Sequence, residues 1–213
     1  RMEGSYARVG YTIDVCRGDE AWNSSQVWYM PFDDLNAEVT SDITWWPWRE
    51  WYYTINVCNF AISRCGEDNS QLSNKMKRIK GQVLFLRGLS YYNLVGYYQN
   101  PPLITDYATY SSLDGLYTTN STYDNVLDQV EKDFHEAMEL LPSRDEGGEW
   151  AGGRATCGAA AGYYARALMM RQKYSDALTV MKDIIGKKYG TYRLMSNYGD
   201  NFREGSAYEL SLI

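Results

Sequence analysis

ATCGAAAGYYARALMMRQKYSDALTVMKDIIGK, residues 155–187, is the stretch on which the fold class turns. Its first half is crowded with small side chains: Ala155, Gly158, Ala159, Ala160, Ala161, Gly162, Ala165 and Ala167. Such a surface lets a neighbouring helix approach closely, because interaxial distance follows the size of the side chains at the contact. The second half places Ala177, Leu178, Met181, Ile184 and Ile185 at helical spacing and predicts an inward face. Two helices, over about 155–172 and 174–187, make one hairpin close to the tetratricopeptide period of about 34 residues.

Working back along the chain, Ser121-Thr122-Tyr123-Asp124 reads as a capping-box start. The helix it opens carries Val126, Val130, Phe134, Met138 and Leu141 inward and stops at Pro142. A longer helix is expected from Leu72 to Tyr98, with Leu72, Met76, Ile79, Val83, Leu86, Leu94 and Tyr97 as its apolar stripe. Lys75, Lys77, Arg78 and Lys80 fall mostly off that stripe, as a solvated face would. Asn100-Pro101-Pro102 ends this helix, since proline can neither donate to the ladder nor tolerate a helical predecessor. The two helices form an earlier pair split by a Tyr-, Ser- and Thr-rich excursion over 101–121, long enough to suggest a functional loop.

An earlier helix is expected from Trp45 to Arg64, with Trp48, Trp51, Tyr52, Ile55, Cys58 and Ile62 at spacings of three and four and Gly66 as its stop. Pro47 fits its first turn as an N1 residue. Residues 1–44 show little period and read as loop with short helical pieces. At the other end, Tyr208 to Ile213 alternates like a strand with no visible partner, so the chain looks cut before a C-terminal part. The expected architecture is mostly α: tetratricopeptide-like helical hairpins with long loops, a loop-rich segment over 1–44 and a helical-repeat region over 45–213.

Composition narrows the function. The chain has 213 residues, 45% hydrophobic and 23% charged, ordinary for a globular protein. Twenty-one Lys and Arg against 27 Asp and Glu give a net charge of −6, a poor basis for neutralising phosphates, so nucleic acid is not expected as a partner. One histidine and four cysteines, none as CxxC, speak against the common zinc sites and histidine acid–base chemistry. No cofactor or metal is expected. The surplus is aromatic: 20 Tyr and 7 Trp beside 5 Phe. Tyr and Trp combine an apolar body with a polar handle, which suits ligand platforms and interfaces.

Taken in order, the segments resemble the SusD/RagB family of surface nutrient-binding lipoproteins of Bacteroidetes-type outer membranes. Trp51-Tyr52-Tyr53-Thr54-Ile55-Asn56-Val57-Cys58-Asn59 resembles its early helix. The run from Gly81 through Phe85-Leu86-Arg87-Gly88 to Tyr91-Tyr92-Asn93-Leu94-Val95 is similar to its GEARFLRAxxYFxLV signature, with Gln82 where an acid is usual. Pro101-Pro102-Leu103-Ile104-Thr105 resembles VPLIT, Gly153-Arg154-Ala155-Thr156-Cys157-Gly158-Ala159-Ala160 resembles GRATKGAA, and Lys173-Tyr174-Ser175-Asp176-Ala177 resembles KYAEA. Ser121 to Pro142 fits the intervening helix, and Tyr192-Arg193-Leu194 with Tyr198 and Phe202 fits a later stretch. The resemblance implies a non-catalytic protein at the cell surface, tethered by a lipidated cysteine upstream of Arg1. It also implies capture of an oligosaccharide, or alternatively a peptide, for a TonB-dependent, SusC-like transporter. Two further readings stand beside it: an intracellular helical-repeat adaptor, and a helical-barrel glycosidase, for which no carboxylate pair stands out.

Trp45-Trp46-Pro47-Trp48 is the strongest candidate site. Sugars pack flat C–H faces on indole rings while their hydroxyls stay hydrogen-bonded at the edge, and a proline stiffens the platform. Trp48 and Trp51 are expected in the core, Trp45 and Trp46 facing ligand. Trp22, Trp28 and Tyr29 are further candidates on the same logic, and Tyr110, with Tyr107 and Tyr117, belongs to the long loop. His135 lies four residues from both Glu131 and Glu139, which predicts a solvated, salt-bridged face. The four cysteines read as buried free thiols. Asp145-Glu146-Gly147-Gly148-Glu149 lacks the alternating oxygens of a calcium loop and reads as a solvated turn.

Overall fold

The computed structural model describes residues 9–18, 27, 29–36, 38, 41–110, 112, 114–150 and 153–199. Every regular element among them is helical. The chain divides into two compact units between Val57 and Cys58, inside a helix and further along than the expected boundary at 44/45. The alternating run over 208–213 lies outside the described residues.

The first unit contains α1 (Val9–Cys16), α2 (Met30–Asp33) and most of α3 (Asp42–Cys65). Short α1 and α2 pack on each other, and Ile13, Cys16, Tyr29, Phe32 and Ile43 are buried. α3 begins before the expected Trp45. The amides of Thr44 and Trp45 both donate to the Ser41 carbonyl at 3.1 and 3.2 Å, and the Thr44 hydroxyl reaches the same oxygen at 2.7 Å. Pro47 therefore sits inside the helix rather than at N1. Having no N–H, it interrupts the ladder one turn in.

The second unit holds the end of α3, then α4 (Asn74–Tyr98), α5 (Tyr107–Tyr110), α6 (Tyr123–Leu140), α7 (Cys157–Met170) and α8 (Tyr174–Ile185). The long helices stack in chain order: α4 on α6, α6 on α7, α7 on α8. Caps set their starts. Ser73 Oγ accepts from the Met76 amide, Thr122 Oγ1 from Asn125 and Thr156 Oγ1 from Ala159. The N-cap of α6 is thus Thr122, not Ser121, because the Ser121 hydroxyl accepts instead from the Leu103 amide at 3.1 Å. At the α7–α8 turn, Arg171 pairs with Asp128 and with Glu131, and Lys173 Nζ lies 2.8 Å from Glu131, tying the hairpin to α6.

The small-residue surface of α7 does what its composition predicts. Ala161, Ala165 and Leu168 meet Ala177 and Val180 of α8 in one buried cluster, with Met181 and Ile184 packed against it. Leu178 and Ile185, expected inward, are 52% and 81% exposed, since the buried face of α8 is 177, 180, 181 and 184. Gly158 marks a close approach: a Cβ there would run into the Tyr192 hydroxyl and ring.

α4 departs most from expectation. Ile79 and Leu86, assigned to its stripe, are exposed, while Lys80 and Arg87, the first assigned to solvent, are buried. The reason lies in two glycines seven residues apart. A Cβ at Gly81 would come within 2.9 Å of Leu141 Cγ, and one at Gly88 within 3.2 Å of both Asp133 Cβ and the Phe134 ring. The α6-facing side of α4 is therefore chosen by the absence of side chains, which a hydrophobic count does not register.

Candidate ligand-binding site

In the first unit the helical wheel of α3 sorts its aromatics. Trp51 is 1% exposed and Ile55 is fully buried, and the half-buried Trp48 lies 4.9 Å from the Tyr52 ring. Trp45 and Trp46 are 49% and 37% exposed. Consecutive helical residues point about 100° apart, so the two indoles do not make one flat shelf. Trp45 shares its stripe with Arg49, Tyr53 and Val57 at steps of four, and Tyr53 and Val57 are also exposed. The Arg49 guanidinium sits 4.8 Å from the Trp45 ring and pairs with Glu50 at 3.0 Å. The result is an open face with an indole, a phenol and a cation, carried by a helix whose opposite side is anchored by Trp51. Tyr53 and Val57 were overlooked in the sequence, although their spacing from Trp45 was there to be read.

The other expected positions fall differently. Tyr29 is 7% exposed and packs inside the first unit, so it offers no open ring. Trp22 and Trp28 lie outside the described residues. Tyr110 ends α5, and its side chain also lies outside what is described.

In the second unit the 101–121 loop hangs from a buried polar lattice. Arg87 donates two bonds to Asp133, Nε to Oδ2 at 2.8 Å and Nη2 to Oδ1 at 2.6 Å. Its Nη1 donates to Asn59 Oδ1 at 2.9 Å and to the Thr105 carbonyl at 3.3 Å. Asn59 Nδ2 donates to the Ile104 carbonyl, and the Tyr91 hydroxyl donates to that same oxygen while accepting from the Ile104 amide, all at 2.8 Å. Gln129 adds a bond to Asp133 at 2.7 Å. Burial alone would lower the Arg87 guanidinium; the hydrogen bonds and charge of Asp133 outweigh it and raise it, so the guanidinium stays charged. Burial pushes the neighbouring Cys58 thiol up to about 12, Arg87 pulling it down and Asp133 pushing it further up, which leaves it inert.

This lattice fixes where the loop leaves the scaffold. Beyond it, Asp106 accepts from the Thr109 amide at 2.9 Å, and such amide bonds hold its carboxyl below the usual range. Tyr107 meets Phe60 edge-on at 5.1 Å, while Tyr117 is 84% exposed. Asn59, Arg87, Tyr91 and Asp133 act as positioning residues. Sequence reasoning missed them, although a polar residue inside an apolar run is the available signal.

Among the described residues no group of three or more His, Cys, Asp or Glu is placed to hold a metal ion. His135 is exposed, with Nδ1 3.9 Å from Glu139 and its ring edge-on to Tyr164. The acidic turn forms two short 3-10 segments, and Asp145 accepts from the amide and hydroxyl of Thr191 at 2.8 and 3.1 Å. The four cysteines are free and buried, as their reading had it.

Known proteins place the chain. A SusD-like protein P25 of Formosa agariphila is 24% identical over 170 residues, 78% of this chain and 30% of that protein. A SusD superfamily protein of Bacteroides vulgatus superposes with a TM-score of 0.79 at 21% identity, over 95% of this chain and 43% of the other. A laminarin-binding SusD-like protein superposes with a TM-score of 0.70 at 23% identity, over 95% and 48%. The chain thus spans less than half the length of these relatives. The SusD-like family described as starch-binding and associating with the outer membrane matches residues 4–169, and with its stacked helices and helix-borne signatures the chain belongs to that family.

Proposed function

We propose that this chain is part of a non-catalytic nutrient-binding protein of the outer membrane. It captures glycan at the cell surface on exposed aromatic rings and passes it to a TonB-dependent, SusC-like transporter, held in place by a lipid anchor upstream. The observation that carries the reading is the outward pair Trp45 and Trp46 on a helix whose inner face is locked by Trp51. An aromatic ring held rigid before binding loses little entropy when a sugar stacks on it. The family's description as starch-binding supports glycan as cargo, and the laminarin-binding relative supports a glucan among the first to try.

Affinity electrophoresis against a panel of polysaccharides tests this. At least one neutral glycan is expected to retard the protein. Trp45→Ala with Trp46→Ala should weaken that binding roughly tenfold or more, as removal of a central aromatic anchor does, with the fold intact by circular dichroism. Retardation unchanged in the double variant removes the platform. Heat of binding with a peptide pool and none with glycans makes the protein a peptide importer's component instead. Reducing ends released from a bound polysaccharide would make it an enzyme.

A further inference from the structure

A cleft of about 560 Å³ opens in the second unit between the first turns of α4 and the positions of Trp150 and Arg154. That volume lies inside the range of about 300–1,000 Å³ that small-ligand sites occupy. Its lining combines Lys75, Arg78, Ile79 and Gln82 of α4 with Trp150 and Arg154. Trp150 is 5% exposed, and the guanidinium carbons of Arg78 and Arg154 each lie 5.6 Å from its ring centroid. The two cations are thus no further apart than twice that distance. Gln82 orients Arg154 by accepting from Nη1 at 3.0 Å, and Arg78 pairs with Glu146 at 2.6 Å.

In a chain of net charge −6, Lys75, Arg78 and Arg154 line this one cleft together, and among the described side chains Glu146 pairs with Arg78. Glu146 is well exposed, so its pairing with Arg78 contributes little and is readily exchanged. The guanidinium fork matches a planar carboxylate or a sulfate in two parallel bonds. The exposed Ile79 and the edge of Trp150 supply apolar surface for a sugar's C–H face, and the Gln82 amide can serve hydroxyls. A peptide bound as a strand would need a sheet edge, and one bound as a helix an apolar groove. No strand occurs among the described residues, and five of the seven residues that line the cleft are polar or charged.

We propose that this cleft binds an acidic saccharide unit through its anionic group, with Arg154, Arg78 and Lys75 as anion contacts and Trp150 as floor. The proposal rests on the glycan-capture reading and deepens it: the protein then carries a charge-selective subsite apart from the tryptophan face of α3.

Calorimetry on the intact protein tests it with four probes: an oligogalacturonide, its methyl-esterified counterpart, a sulfated neutral oligosaccharide and polyglutamate. The expected result is binding of the oligogalacturonide or the sulfated sugar, whichever carries the fitting anion. The esterified form should bind roughly tenfold or more weakly, and binding should fall as salt rises. Arg154→Gln with Lys75→Gln should lose the acidic ligand by a similar factor while leaving neutral-glycan binding at Trp45 and Trp46 unchanged, and Arg154→Lys should recover part of it. Equal affinity for acid and ester overturns the proposal, as does acidic-sugar binding indifferent to the double variant. Polyglutamate bound as tightly as the sugars makes the cleft a site for acidic peptides and overturns it too. If neutral glycans bind and no acidic one does, this proposal fails alone; if no saccharide of either kind binds, the glycan-capture reading fails with it.

Discussion

α4 and α6 lie against each other at the centre of the second unit, and they are built on opposite plans. α6 buries Val126, Leu127, Val130, Phe134 and Ala137, with Asp133 as its single buried acid. α4 buries Leu84, Phe85, Leu89, Leu94 and Val95 but also Lys80, Arg87, Ser90, Gly81 and Gly88. α6 is a packing element whose apolar stripe determines its orientation. α4 is a hub: its buried cations reach out of the helix to hold irregular chain in place. Lys80 Nζ donates to the Gly66 carbonyl at 3.1 Å and to Asn69 at 2.8 Å, and Arg87 holds Asn59, Thr105 and Asp133. A helix with long loops at both ends needs buried polar arms, because loop carbonyls drawn into a core must find donors.

Removing an arm should therefore cost more than its area suggests. Arg87→Met leaves the Asp133 carboxylate buried without its cation, and chemical denaturation should show a loss of about 3–5 kcal/mol. Adding Asp133→Leu should restore most of it, since the pair is worth little against apolar residues once both charges are gone. If the single variant costs no more than a surface change, α4 is an ordinary packing helix and the contrast with α6 disappears. Gly88→Ala sharpens the same contrast. The added methyl meets Asp133 and Phe134, so a net loss of about 1–3 kcal/mol is expected. Gly96→Ala on the open side of the same helix should gain up to about 1 kcal/mol from helix propensity.

Glu136 gives the contrast a pH signature. It accepts from Asn69 at 2.9 Å and pairs with Lys80 at 3.2 Å. Burial pushes its carboxyl up, and those bonds overcome this and hold it below its ordinary 4.5. A depressed carboxyl stabilises the fold above its unfolded value and loses that contribution as pH falls through the folded one. Glu136→Gln should therefore cost about 1 kcal/mol at pH 7, and the gap to the parent should close as pH falls below 4.5 and through the depressed folded value. A gap that persists in acid would mean the side chain matters by shape alone. The smallest effect is kinetic: Cys58, with its pKa near 12, should resist iodoacetamide at pH 8 in the folded protein and react only in denaturant.

Legibility followed the same division. The hairpin of α7 and α8, the stripe of α6 and the stop at Asn100-Pro101-Pro102 could be read because they depend on local chemistry: small residues, apolar spacing, proline. The inner face of α4 could not, because glycines set it and charged residues fill it, and both look like solvent-facing choices in a linear count. Leu178 and Ile185 erred in the other direction, being apolar residues left outside. Trp45 and Trp46 were expected to face ligand; both are exposed, and the binding experiment decides their role. What the sequence did not offer was Trp150, a lone aromatic in an acidic turn, which takes its meaning from its near neighbour Arg154 together with Arg78, brought to it from far along the chain.

The excursion over 101–121 is pinned at its base. The Ser121 amide donates to the Pro101 carbonyl at 3.4 Å, the Leu103 amide to Ser121 Oγ at 3.1 Å, and the Tyr123 amide to Asn100 Oδ1 at 2.9 Å. Its two stems are clamped to each other before the loop proper begins. For a loop closed at its feet, each doubling of length adds only about 0.6 kcal/mol of entropy cost. Beyond the anchored Ile104 and Thr105, the segment up to Ser121 is thus a cassette: its length can be changed with little penalty to the helices below. This is a place where new contact surface can evolve, or be grafted, without refolding the scaffold.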